Sequence, residues 1–187
     1  DTGFIVYNEL NYPDLGALFA HLGVETRACE MSFSVSAGGG AFEWCGRGRT
    51  IAETLNHVFA QRSNLLSPSF LWMLREMVRF NRQSRTDLRT GRLAGLSLGD
   101  YFRSGHYSQR LARDYLIPMG GAIWSTPIDK MLEFPAENFV TFFDNHRLLH
   151  SGSERPVWRT VAGGSRSYVE KLTARFQGQL RLGSAVI

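Results

Sequence analysis

Asp144, His146 and His150 are the residues whose types and spacing come nearest to a metal centre. The two histidines are four apart, which would put both imidazoles on one face of a helix, and Asp144 would add an oxygen ligand. The H-E-x-x-H arrangement is absent, because Arg147 follows His146, and no third partner is identifiable. A structural or solvent-facing role is therefore expected for the cluster. Ser165 follows two glycines, but the G-x-S-x-G pattern of a serine nucleophile is missing. Gly38, Gly40 and then Glu43 break the dinucleotide pattern G-x-G-x-x-G, and Gly46, Gly48 and then Ile51 break it again. No P-loop is present, so the chain is expected to lack a phosphate cradle of its own. Cys29 and Cys45 are too few for a metal site; they flank a hairpin signal, which makes a disulfide geometrically conceivable, and reduced thiols are the expectation.

Arginine carries almost all the positive charge: the formal net charge is +4. Arg75, Arg79, Arg82, Arg85, Arg89 and Arg92 step by three or four and would line one helix face. Such a stripe suits an acidic partner or an anionic membrane surface, or is simply solvated. Aromatic side chains do not interleave with it, so nucleic acid is not expected as a partner.

The elements that must position these residues follow from periodicity. Gly3–Tyr7 reads as a short buried strand. Pro13 opens a helix with Leu15, Leu18, Phe19 and Leu22 on one stripe, and Gly23 stops it. Ser32–Val35 and Ala41–Trp44 alternate around Gly38-Gly39-Gly40, a hairpin signal. Pro68 starts a long helix with Phe70, Leu71, Leu74, Met77, Val78 and Asn81 inward. Residues 85–96 read as an exposed loop or helix end. Ser97–Asp100 and Thr126–Asp129 fit capping boxes. Tyr107, Leu111 and Tyr115 hold helical spacing until Pro118. Pro135 opens a helix with Phe139, Val140, Phe142 and Phe143. Gly163-Gly164-Ser165 leads a helix with Val169, Leu172 and Phe176, followed by a terminal strand. The expected fold class is α+β: a small mixed or antiparallel sheet built from both ends, packed with a helical block at about 50–150.

The chain has 187 residues, of which 43% are hydrophobic, enough for a single domain spanning 1–187 with a real core. No apolar run approaches the roughly 20 residues of a membrane span, and residues 1–20 lack the pattern of a signal peptide. A cytoplasmic setting is expected.

Four stretches together resemble bacterial FAD-dependent amine-oxidase-like oxidoreductases, a family of NAD/FAD-binding dehydrogenases. They are Asp1–Asn8 followed by Tyr12-Pro13; Tyr115–Ser125; Phe134–Ala136 continuing through Phe142–His146; and Trp158–Val169. The resemblance runs over nearly the whole chain. It implies an internal substrate-domain segment whose FAD-binding domain, with the pyrophosphate loop and ribose-binding acid, lies elsewhere in the same polypeptide. It also implies Gly3, Phe4, Gly163, Gly164 and Ser165 on the cofactor side. Trp124 is equally a pocket wall or a core residue, and Met119 goes with it as a pocket residue. The full-length parent would transfer a hydride from an amine or an unsaturated-lipid substrate to FAD. The segment alone would be inactive, would retain no FAD, and would expose an apolar patch around its first strand and the Gly163-Gly164 loop, with a homodimer formed through it. The alternative is a non-catalytic binding module using the Arg75–Arg92 stripe. The residues themselves name no catalytic acid or base.

Overall fold

The structure is a computed structural model that describes residues 4–46, 50–150 and 155–184. It is an α+β fold, with helices predominating over two small antiparallel sheets. The chain divides into two compact units. One is formed by Asp1–Glu30 together with Pro156–Ile187, the other by Met31–Arg155.

The first unit begins with α1 (Pro13–Leu22), with Pro13 at its first position and Gly23 closing it at φ +64°. Phe19 and Leu22 of the expected stripe are buried, whereas Leu18 stays exposed. Strand β1 (Thr26–Cys29) pairs antiparallel with β4 (Trp158–Val161), Thr26 opposite Val161, so this sheet is indeed drawn from both ends of the chain. The expected strand over Gly3–Tyr7 is not formed among its described residues. Only Tyr7 joins the sheet, bonding Arg159 in both directions at 2.9 and 2.8 Å, and Ile5 is 82% exposed. The ladder ends there because Asn8 turns the chain, its side chain accepting from the Asn11 amide at 2.9 Å and its carbonyl from the Tyr12 amide at 3.0 Å. Helix α8 (Ser165–Ala174) follows the Gly-Gly turn as expected. The terminal strand is not found in its described part: Leu180 and Leu182 are exposed and have no ladder partner among the described residues. Tyr7, Phe19, Leu22, Val24 and Val161 form the small core, with Phe4, Leu15 and Tyr168 packed against it.

The second unit opens with the hairpin of β2 (Ser34–Ala37) and β3 (Phe42–Cys45), in the register Val35 opposite Trp44 and Ala37 opposite Phe42. Gly38, Gly39 and Gly40 all take positive φ in the turn, which explains the triple glycine. Helix α2 (Ile51–Val58) is held by a capping box between Thr50 and Glu53. A tight turn at Arg62–Leu66 precedes α3 (Pro68–Arg89). The inward face of α3 differs from the expected one. Phe70, Met73 and Phe80 are buried, together with Glu76, Ser84 and Asp87, while Leu71 and Val78 are exposed. Polar side chains complete that face because each carboxylate finds a hydrogen-bond partner, Ser108 for Glu76 and Tyr101 for Asp87, so apolar residues alone misdirect the assignment by about one residue position. After α3 the chain turns rather than staying exposed throughout, and Leu93 is buried.

Helix α4 (Leu98–Ser104) carries the expected capping box of Ser97 and Asp100. Helix α5 (Gln109–Leu111) passes through a widened turn at Ala112–Leu116 directly into α6 (Ile117–Trp124). Pro118 therefore does not stop the helix; it sits in the first turn of α6, where its missing N–H is tolerated. The expected capping box at Thr126 is also absent. Thr126 donates to the Trp124 carbonyl, and Ile128–Glu133 forms a tight helical turn. Helix α7 (Ala136–Asn145) buries Phe139, Val140 and Phe143, as the pattern predicts. No described helix is long and apolar enough to cross a membrane.

Candidate functional site

An open cleft of about 430 Å³ lies in the second unit, between the hairpin turn and α5 with its widened turn. Ala37, Gly38, Ala41 and Phe42 line one side, and Arg110, Arg113 and Asp114 the other. Two-residue alternation decides which hairpin side chains face it. Ala37 and Phe42 are a cross-strand pair on one face, while Ser36 and Glu43 pair on the opposite face, where Ser36 donates to Glu43 at 2.8 Å.

The charged wall is built around Asp114, whose side chain is 5% exposed. Arg113 grips it with two bonds, Nε to Oδ1 at 2.6 Å and Nη2 to Oδ2 at 3.1 Å. The carboxylate raises the Arg113 pKa further above its ordinary value, chiefly through this hydrogen bond. Arg110 Nε stands 3.3 Å from Oδ2 of the same carboxylate. Its guanidinium lies over the Phe42 ring at 4.8 Å and donates to the Ser69 hydroxyl. The widened turn presents the Asp114 carbonyl to the Trp44 indole, which donates to it at 3.0 Å.

No family model and no curated protein matches this chain. Its chemistry must be read from its own residues.

The residues expected on the cofactor side fall in the first unit, except Gly3, which lies outside the described residues. Gly163 and Gly164 have φ of +80° and +79°, and a Cβ at Gly163 would meet only Ser167, at 3.9 Å. The Gly163 backbone is therefore open to close approach, and both residues hold a conformation that suits glycine. Phe4 is committed elsewhere: its ring stacks on Phe19 and Tyr168 at 6.0 and 5.9 Å and meets the edge of Tyr7. Ser165 is buried at the start of α8. Among these residues the Gly163 backbone is accessible, while the Phe4 ring is engaged within the unit. Met119 and Trp124 lie in the second unit, both half-buried against its core. Trp124 packs among Phe134, Phe139, Phe142 and Phe143 with centroids 4.8 to 6.0 Å away, which makes it a half-buried side chain packed against the core.

In the Asp144 and histidine cluster, Asp144 binds Arg85 and His150. Arg85 and His150 both meet Asp144 Oδ1 at 2.9 Å. Because α7 ends at Asn145, His146 and His150 share no helical face. His146 instead donates from Nδ1 to the Phe142 carbonyl and stacks on that ring at 4.0 Å. Among the described residues no three metal-ligating side chains converge. Cys29 and Cys45 are free thiols.

Arg75, Arg79, Arg82, Arg85 and Arg89 face away from the buried side of α3, as their spacing predicts, whereas Arg92 lies beyond its end, and part of the stripe's charge is engaged within the unit. Arg79 lies 3.7 Å from Glu76 and over the Tyr107 ring, Arg92 lies 3.7 Å from Asp87, and Arg85 holds Asp144. Sequence reasoning missed the cleft arginines and the interior carboxylates. Glu76 accepts from the Ser108 amide at 3.0 Å and from its hydroxyl, and Asp87 accepts from the Tyr101 hydroxyl at 2.8 Å. In the sequence such residues look like any exposed helix face. Arg110 and Asp114, four apart, were the one visible signal for the cleft.

Proposed function

We propose that this chain is the substrate-domain part of a cytoplasmic, flavin-dependent oxidoreductase of amine-oxidase type. The observation that supports it best is the nested order of the two units. Phe4–Tyr7 and the Gly163-Gly164 turn come from opposite ends of the sequence yet share one unit, with Tyr7 bonded to Arg159 and Phe4 stacked on Tyr168. The intervening residues, Met31–Arg155, form a largely helical unit of their own. The resemblance implies that same order, with flavin-side segments brought together and a substrate-side block between them. The first unit also has a thin core and a sheet of two strands, which by itself gives little stability. Ile5, Val157, Val169 and Leu172 stand exposed around it, as a surface covered by the FAD-binding domain of the same polypeptide would require. In the absence of that domain, two copies of the chain would associate through it.

Bound FAD would accept a hydride from an amine or lipid carbon. This chain's part is to orient the substrate and keep water away, with the half-buried Met119 and Trp124 as candidate pocket wall. The Gly163-Gly164 backbone would lie against the nucleotide. The deciding experiment is the visible absorption spectrum of the natural polypeptide that carries this chain. The flavin bands are expected in it and not in residues 1–187 alone. A colourless polypeptide that cannot be reconstituted with FAD would refute the reading.

A further inference from the structure

The cleft beside the hairpin holds chemistry that the flavin reading does not use. We propose that it binds a small monocarboxylate with an apolar body. Two guanidinium groups face one buried carboxylate, which leaves the wall one net positive charge. That charge matches a monoanion. A phosphate dianion would exceed it, and its second charge would double the repulsion from Asp114.

The cation is held ready in place. Asp114 occupies Nε and Nη2 of Arg113, and the side chain remains 76% exposed, so the rest of its planar fork is accessible to a second carboxylate. Arg110 is 24% exposed and pinned between Asp114, Ser69 and the Phe42 ring, so little side-chain freedom is lost when an anion arrives. The opposite wall of Ala37, Gly38, Ala41 and Phe42 bears no charge, and Glu43 is turned to the other face of the hairpin. The arrangement thus presents an exposed cation, Arg113, beside an apolar hairpin wall whose Phe42 ring Arg110 covers, which suits an anionic head on a short hydrocarbon.

Titration calorimetry of the full chain with hexanoate tests this, with hexylamine and inorganic phosphate as the comparison ligands. Hexanoate is expected to bind saturably at one site, more tightly than either comparison ligand and more weakly as salt rises. Arg113→Gln should weaken it about tenfold, the effect of losing a charged hydrogen bond. Arg166→Gln, in the other unit, should leave it unchanged. The Trp44 indole N–H resonance, bonded to the Asp114 carbonyl, should shift on titration of the unaltered chain. Failure of hexanoate to saturate, equal binding of phosphate, or binding that neither depends on Arg113 nor moves the Trp44 signal would each overturn the assignment. None of these outcomes bears on whether the polypeptide carries flavin.

Discussion

The indole nitrogen of Trp44 donates to the carbonyl of Asp114 at 3.0 Å, seventy positions along the chain. That carbonyl lies four residues before Pro118, so the amide that would satisfy it in a regular helix does not exist. The hairpin thus repairs a defect that the proline makes in the helical segment. It also ties the two walls of the cleft together.

Trp44→Phe should strand that buried carbonyl and destabilise the protein by about 1–3 kcal/mol, with a further loss from imperfect packing. Adding Pro118→Ala restores a backbone N–H, so the double variant should lose less than the sum of the two single changes. Urea denaturation of all four proteins measures the coupling.

Tyr101, Tyr107 and Tyr115 have pKa values pushed up, in each case first by burial. The Tyr101 hydroxyl is held further by donating to Asp87. A folded pKa raised above the unfolded value near 10 means that the stabilisation is complete below that pH and is lost as pH rises beyond it. These phenols should ionise only together with alkaline unfolding. Phenolate absorbance and circular dichroism followed through one alkaline titration should change together, and Tyr101→Phe should remove part of that late absorbance.

Asp100 has the opposite sign. Its hydrogen bond from Ser97, then that from Arg103, hold its carboxyl below the ordinary value of 3.8. The contribution is therefore present above that pH and is lost as pH falls through the lower, folded value. Acid unfolding of Asp100→Asn should show a shallower pH dependence below about pH 4 than the parent chain.

Gly120 is a steric requirement of the second unit's core. A Cβ there would lie 2.6 Å from Met131 Cε and 2.9 Å from Phe139 Cε2. Gly120→Ala should cost about 1–3 kcal/mol by overpacking. Gly16, inside α1, has room: its Cβ would sit 3.5 Å from Glu9 Cγ. Gly16→Ala should therefore stabilise by about 0.5–1 kcal/mol through helix propensity. Thermal melts of the two variants should move in opposite directions.

The sequence by itself determined the local elements whose signals are short-range. Pro13 and Gly23 bracket α1, the Gly38–Gly40 turn sets the hairpin, Ser97 and Asp100 cap α4, and the phenylalanines of α7 mark its buried face. Each depends on backbone sterics or side-chain periodicity within a few residues. Tertiary structure decided what depends on distant partners. It turned α3 so that Glu76 and Asp87 point inward, because Ser108 and Tyr101 are there to bond them. It kept the helical path running past Pro118, and it reduced the expected first strand to a single bridge at Tyr7. It also gathered Phe42, Arg110, Arg113 and Asp114 into one cleft. For the inward carboxylates of α3 no local pattern suffices, because burying a charge becomes favourable only when a partner far along the chain arrives to meet it.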